Sequence, residues 1–430
     1  MHQHSFDINI ENLSKIEGHA DLYIKVRKGE VLDAKLKIVE NKRFYTQAIR
    51  GKMFNSVPQL VSRICGTCSV AHLSCCTEAV ENALDFKPSD QTRALRHLNM
   101  YGLMIRDHAL HLYIFVLPDI FGVQSVMELA DKDEDLVRQA FIVKGAGNRL
   151  CKLVGGRAIH PIFSGVGGFL KLPEKNGIKK SIEELYSVRA FATELIDILL
   201  ESDFNFTRKS NYVGIANENY NFMRGEIMSS EGTCIPERHY WDHLNRVVIP
   251  YSQATGFRFE GKEYTVGALA RMNLNRHNMH PDTLHDVPEA VAKFPSDNIY
   301  SNNLAQAVEM LHSIDNAIEI METWDFKQEP RPVIKPKASE GVGVIEAPRG
   351  TLYYLLSFME DGRIRYGNLV IPTAQNQIQM EKDIKAFVPE LLSRDMERHD
   401  IEHEIEKLIR AYDPCMSCAS HFLKVRWEDG

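Results

Sequence analysis

Two Cys-x-x-Cys pairs near opposite ends of the chain constrain it most. They are Cys65-Gly66-Thr67-Cys68 and Cys415-Met416-Ser417-Cys418, with 346 residues between Cys68 and Cys415. Each pair sets two thiols on one tight turn, a donor set suited to a soft metal. A zinc ribbon keeps its second pair within a few dozen residues. Here only a finished fold can bring the pairs together. On spacing alone, four thiolates suit structural zinc or an iron–sulfur cluster as well as any other soft centre. The other four cysteines, Cys75, Cys76, Cys151 and Cys234, show no cluster spacing. They read as small buried apolar side chains.

The chain of 430 residues is long enough for a large core, and its 44% hydrophobic and 25% charged content is that of a folded soluble protein. A net charge of −7 and the lack of a Lys/Arg stripe argue against nucleic acid as a partner. No apolar run reaches membrane-spanning length, so no membrane insertion is expected. The best candidate, Leu110 to Val123, is interrupted by Pro118 and Asp119. The first residues lack the features of a signal peptide. The expected compartment is the cytoplasm.

Ala20 to Val26 and Val31 to Val39 alternate apolar and polar residues around Lys28-Gly29, which predicts a hairpin. After Cys68 the period becomes helical, with Ala71, Cys75, Ala79, Val80 and Leu84 near one face. Further helices are predicted over Gln91 to Val116, stopped by Pro118, over Ile182 to Glu201, and over Ser301 to Thr323. Thr233 to Gly267 looks mixed, with strands. Pro330 to Pro336 reads as a linker. Gly341 to Ile371 alternates around the turn signal Asp361-Gly362, and Glu381 to Tyr412 is helical up to Asp413-Pro414. The expected class is α+β and mostly helical: a long-helix bundle with small peripheral β-sheets. One domain is expected over 1–430, with an N-terminal β region (1–60), a helical core (61–330), and a β hairpin, C-terminal helix and second cysteine pair (331–430).

The flanks of the cysteine pairs narrow the reading. They are Arg63-Ile64-Cys65-Gly66-Thr67-Cys68-Ser69-Val70-Ala71-His72 and Asp413-Pro414-Cys415-Met416-Ser417-Cys418-Ala419-Ser420-His421. Together they resemble the two signature motifs of the [NiFe]-hydrogenase large subunit. Five other stretches resemble the family in family order. They are Lys15-Ile16-Glu17-Gly18-His19, His108-Ala109-Leu110-His111 leading to Leu117-Pro118-Asp119, and Gly155-Gly156-Arg157-Ala158-Ile159-His160-Pro161. Glu346-Ala347-Pro348-Arg349-Gly350-Thr351-Leu352 and Pro372-Thr373-Ala374-Gln375-Asn376 complete the set. The resemblance runs from residue 15 to 421.

The resemblance implies the catalytic subunit of a soluble multi-subunit hydrogenase, cleaving H2 reversibly into protons and electrons. All four cysteines would ligate nickel. Cys68 and Cys418 would also bridge to an iron carrying carbon monoxide and cyanide. Glu17 would relay the proton. Without the motif it would read as an exposed glutamate. Arg349 would hang over the open metal position, with Asp107 and Asp413 as ion partners and Pro348 beside it at the cofactor. His72, one turn after Cys68, would hydrogen-bond a bridging sulfur. No iron–sulfur cluster is expected in this chain, so electrons would pass to an iron–sulfur small subunit. Flavin and NAD(P)-binding or electron-bifurcating subunits would follow. Two other readings keep the same fold: an H2 sensor, and a scaffold like that of respiratory complex I, against which the four retained cysteines argue.

Three departures stand out. Lys15 replaces the usual arginine and lacks its fork. Thr46 stands where the family has a glutamate ligand of magnesium, a poor exchange for a hard cation. Only His421 matches that magnesium site, with Glu40 a weak substitute. Finally, Phe422 to Gly430 extends past the usual processing point and reads as an uncleaved, docking tail.

Overall fold

A computed structural model describes residues 5–40, 44–394 and 396–420. The N-terminal sheet is antiparallel, in the order β1 (Phe6–Ile10), β2 (Ala20–Arg27), β3 (Glu30–Ile38). Ala20, Leu22, Ile24 and Val26 of β2 are fully buried and alternate with half-exposed neighbours, the period-two pattern of a strand with one dry face. The expected hairpin is present. The strand β1 before it was not anticipated.

Long helices form the body: α1 (Ser69–Ala83), α2 (Asp90–Ala109), α3 (Glu134–Gly155), α4 (Lys175–Leu200), α5 (Ala268–Asn275) and α6 (Ser301–Thr323). α2 packs between α3 and α6, and α4 packs on both α3 and α6. The Ser89 side chain caps α2, accepting from the Thr92 N–H at 3.1 Å. α2 does not stop at Pro118. Its ladder widens to a π-type turn over Leu110–Val116 and resumes over Leu117–Ile120. Pro118 thus falls in a first turn, where its missing N–H costs little.

The segment expected as helical core, 61–330, is interrupted by strands. β4 (Asn211–Ala216) lies in a four-stranded sheet with Tyr264–Thr265, Glu226–Ser229 and Cys234–Pro236, and Leu244–Val248 pairs with Thr255–Phe259. The expected hairpin after the proline-rich linker is a three-stranded antiparallel sheet: β5 (Ser339–Ala347), β6 (Gly350–Phe358) and β7 (Ile364–Val370). It lies on α1. A Cβ on Gly343 would sit 2.3 Å from the Cys75 carbonyl oxygen, so glycine lets strand and helix backbones touch.

The single helix expected over Glu381 to Tyr412 is two: α7 (Pro372–Ser393) and α8 (Arg398–Ala411). Pro372 opens α7 in the first turn, where proline is pre-shaped for the helix. A short helix, α9 (Met416–Ala419), carries the second cysteine pair. No helix among the described residues is long and apolar enough to cross a membrane.

Candidate metal centre

α1 begins at the first cysteine pair, with Cys68 immediately before the helix and Cys65 extended ahead of it. Cys415 immediately precedes α9 and Cys418 lies within it, and the Cys415 N–H donates to Thr373 Oγ1 of α7 at 2.9 Å. The fold closes these pieces on one another. The four Sγ atoms lie within 4.8 Å of each other and are all buried.

Glu17 reaches two of them. It runs beside Cys415 as an isolated parallel bridge, and its carbonyl accepts the Met416 N–H at 2.8 Å. Its Oε2 lies 3.0 Å from Cys415 Sγ and accepts the Ser417 N–H at 3.2 Å. Its Oε1 lies 3.8 Å from Cys65 Sγ. Gly18, at φ +84°, makes the approach possible, since a Cβ there would sit 2.9 Å from the Ser417 nitrogen. Burial, and then the nearby Cys65 sulfur, push the Glu17 carboxyl above its ordinary value.

Arg349 forms the opposite wall. Its Nη1 donates to Asp107 Oδ2 at 2.7 Å and to Cys68 Sγ at 3.3 Å, and its Nη2 donates to Asp413 Oδ1 at 2.9 Å. Gln306 Nε2 donates to the other oxygen of Asp413 at 2.9 Å. Burial opposes the Arg349 charge, but Asp107 and Asp413 overcome it and hold the guanidinium firmly protonated. His72 turns its Nε2 to Cys418 Sγ, 3.6 Å away. A small cavity opens between Cys68, Cys418, Arg349, Ala347, Leu352 and Thr373. Pro348 is not among its lining residues. Its carbonyl instead accepts from Arg271 Nη2 at 3.2 Å.

Arg271 belongs to a buried network that sequence reasoning missed. Its guanidinium grips Glu309 through Nε at 2.6 Å and Nη2 at 2.7 Å, and Nη1 reaches Glu346 at 2.8 Å and the Ala347 carbonyl at 3.1 Å. Tyr220 and His108 contact the same Glu309 carboxylate at 2.7 and 3.0 Å. The network ties down the segment just before Arg349. Burial alone would raise Glu309, but Arg271 reverses this and holds it down at about 2. Glu346 shares the same arginine yet is pushed up by burial. Arg271 grips Glu309 with two bonds and Glu346 with one, and His108 contacts Glu309 in addition. Of these residues His108, Glu346 and Ala347 lay in recognised motifs, whereas Arg271, Glu309 and Tyr220 did not.

Lys15 pairs with Asp119, and Arg410 supplies the fork that lysine lacks, donating to the same carboxylate at 2.6 and 3.0 Å. Thr46 lies on the short helix Tyr45–Ala48. Glu40 lies 2.8 Å from His19 Nδ1. His421 and the tail Phe422 to Gly430 lie outside the described residues.

The family model for nickel-dependent hydrogenases matches residues 44–157 and 205–421, covering both cysteine pairs. The chain belongs to this family. Among its relatives is the sulfhydrogenase 2 subunit alpha of Pyrococcus furiosus, 31% identical over 97% of this chain and all of the relative. The sulfhydrogenase 1 subunit alpha of the same organism is 32% identical, over 97% of this chain and 98% of the relative. The NAD-reducing hydrogenase HoxS subunit beta of Cupriavidus necator is 28% identical, over 96% and 94%. In fold, the chain superimposes on an NAD+-reducing [NiFe]-hydrogenase in the H2-reduced state with TM-score 0.87, covering 97% of this chain and 100% of that one at 24% identity.

This nickel-dependent hydrogenase chain is therefore a catalytic large subunit, an oxidoreductase acting on H2, and a subunit of a larger assembly. Four buried thiols within 4.8 Å of one another fit a nickel–iron centre by donor type and by burial.

Proposed function

We propose that Cys65, Cys68, Cys415 and Cys418 hold nickel, and that Cys68 and Cys418 also share an iron bearing carbon monoxide and cyanide. That centre, when bound, supplies the heterolytic splitting of H2. The chain's own residues do the rest. Glu17 Oε2, 3.0 Å from Cys415 Sγ, takes the proton from sulfur and carries it outward. Arg349, locked between Asp107 and Asp413, presents a fixed positive charge beside Cys68. Ala347, Leu352 and Thr373 line the cavity beside Cys68 and Cys418, where such an iron would be held. The single observation that carries this reading is the Glu17 carboxylate spanning two thiols of the cluster.

Electrons leave through an iron–sulfur small subunit. The relatedness to sulfhydrogenases and to an NAD-reducing hydrogenase supports flavin and NAD(P)-binding or bifurcating partners, and a cytoplasmic reaction. No feature of the described residues favours the sensor or the scaffold. The test is an infrared spectrum of the complex purified from its native host. Bands from metal-bound carbon monoxide and cyanide are expected. Their absence, with one zinc per chain, would overturn the nickel–iron reading.

A further inference from the structure

Behind Cys418 stands a second layer of contacts. His72 Nε2 lies 3.6 Å from Cys418 Sγ, and His72 Nδ1 lies 2.8 Å from the hydroxyl of Tyr354. All three side chains are buried, with His72 at 1%, Tyr354 at 0% and Cys418 at 2% exposure. The two rings meet edge-on, at 79° and 6.0 Å between centroids, so the hydrogen bond rather than stacking joins them. We propose that Tyr354 is a positioning residue for the metal centre, whose hydroxyl fixes the edge that His72 presents to Cys418.

The mechanical argument starts from the two anchors. His72 rides on the first turn of α1, its N–H bonded to the Cys68 carbonyl at 3.1 Å, so its backbone moves with the first cysteine pair. Tyr354 sits in the middle strand of a sheet, paired with Gly343 on one side and Leu369 on the other. An imidazole rooted at its Cβ still rotates about two bonds. Bonding Nδ1 to a hydroxyl on a rigid strand removes that rotation and leaves Nε2 aimed at the sulfur. The link joins elements far apart in the chain: β6, α1 and the short helix α9 bearing Cys418.

The chemical argument follows. A phenol can donate through its O–H. With the Tyr354 O–H directed at Nδ1, the ring's own N–H lies at Nε2 and points at Cys418. A hydrogen bond to a thiolate withdraws electron density from it and so tunes any metal the sulfur holds. Chains of such bonds polarise one another, so a stronger bond at Nδ1 strengthens the one at sulfur.

This inference rests on the reading of Cys418 as a ligand shared with an iron carrying carbon monoxide. The experiment is infrared spectroscopy of the intact complex, with metal content measured in parallel. In Tyr354→Phe, nickel and iron content should match the parent, and the carbon monoxide band should move to lower frequency as the sulfur regains electron density. His72→Phe should shift it the same way, and adding Tyr354→Phe to His72→Phe should produce no further shift. If Tyr354→Phe fails to assemble, 3-fluorotyrosine placed at 354 keeps the shape and gives a more acidic phenol. It should move the band the opposite way, to higher frequency. An unmoved band in both Tyr354 forms, or full additivity with His72→Phe, overturns the proposal. No carbon monoxide band in the parent would instead overturn the metal reading beneath it.

Discussion

The carboxylate of Glu17 lies 3.0 Å from the sulfur of Cys415, although 398 positions of chain separate them. The contact does not depend on the side chain alone. The backbone of Glu17 is bridged to Cys415 and bonded to Met416, so the carboxylate is held at the sulfur from both ends.

Replacing that carboxylate should separate metal binding from proton movement. In Glu17→Gln the backbone bridge remains and the amide oxygen can still accept from the Ser417 N–H, so nickel and iron content should stay at the parent level. The exchange of H2 with deuterium from solvent should fall by about 10²-fold or more, the usual worth of a placed acid–base group. Parent-level exchange would show that the proton leaves by another route.

Arg271→Met should damage stability more than chemistry would suggest. It strips the counter-charge from Glu309 and Glu346, both completely buried. Breaking a buried ion pair from one side costs about 3–5 kcal/mol. Denaturant titration of the variant should show that loss. A Glu309→Gln change in the same background should recover part of it, because one stranded charge is removed.

Gly343→Ala tests the seat of α1. The added methyl would stand 2.3 Å from the Cys75 carbonyl oxygen and 2.7 Å from the Ala79 nitrogen, both backbone atoms of the helix that begins at Cys68. Helix and strand must part, at about 1–3 kcal/mol. Thermal unfolding should drop, and metal occupancy should fall with it. Gly29→Ala, which meets nothing within 4 Å, is the steric control, although its φ of +80° carries its own strain.

Glu381 supplies a pH dependence remote from the metals. Burial raises its carboxyl from 4.5 to about 7, against the hydrogen bonds it accepts from Tyr251 and the Leu36 N–H. The folded protein therefore binds this proton more tightly than the unfolded chain does. Its stabilising effect is complete below pH 4.5 and is lost as pH rises to about 7. Glu381→Gln should gain on the parent between pH 5 and pH 8, by about 1–3 kcal/mol. A difference that is flat across that range would contradict the assignment.

The cluster of thiols was legible in the sequence because they come as local motifs. A Cys-x-x-Cys pair is legible within four residues, and Glu17 and Arg349 each sit in a short recognisable run. Arg271 and Glu309 had no such signal. Their charges come from separate helices, and nothing in either stretch shows that they will meet Glu346 in the dark of the core. The helix α3 was missed although Leu136, Ala140, Val143, Leu150 and Val154 follow helical spacing and are buried. Gly145 and Gly147 in its middle, poor helix formers, broke the apparent pattern. The division of 381–412 was hidden for the converse reason: α7 continues through Pro389, and the true boundary lies four residues after it.

Because Cys65 and Cys415 are 350 positions apart yet their sulfurs are 3.5 Å apart, a metal held between them would also be a clasp. It would fasten the beginning of the chain to its end and enclose nearly everything between. A covalent cross-link closing a loop of this size would lower the entropy of the unfolded chain by the equivalent of about 6 kcal/mol. Such a metal would bear on more than reactivity: for as long as it stayed bound, most of the unfolded chain would be one closed loop, with far fewer shapes to escape into.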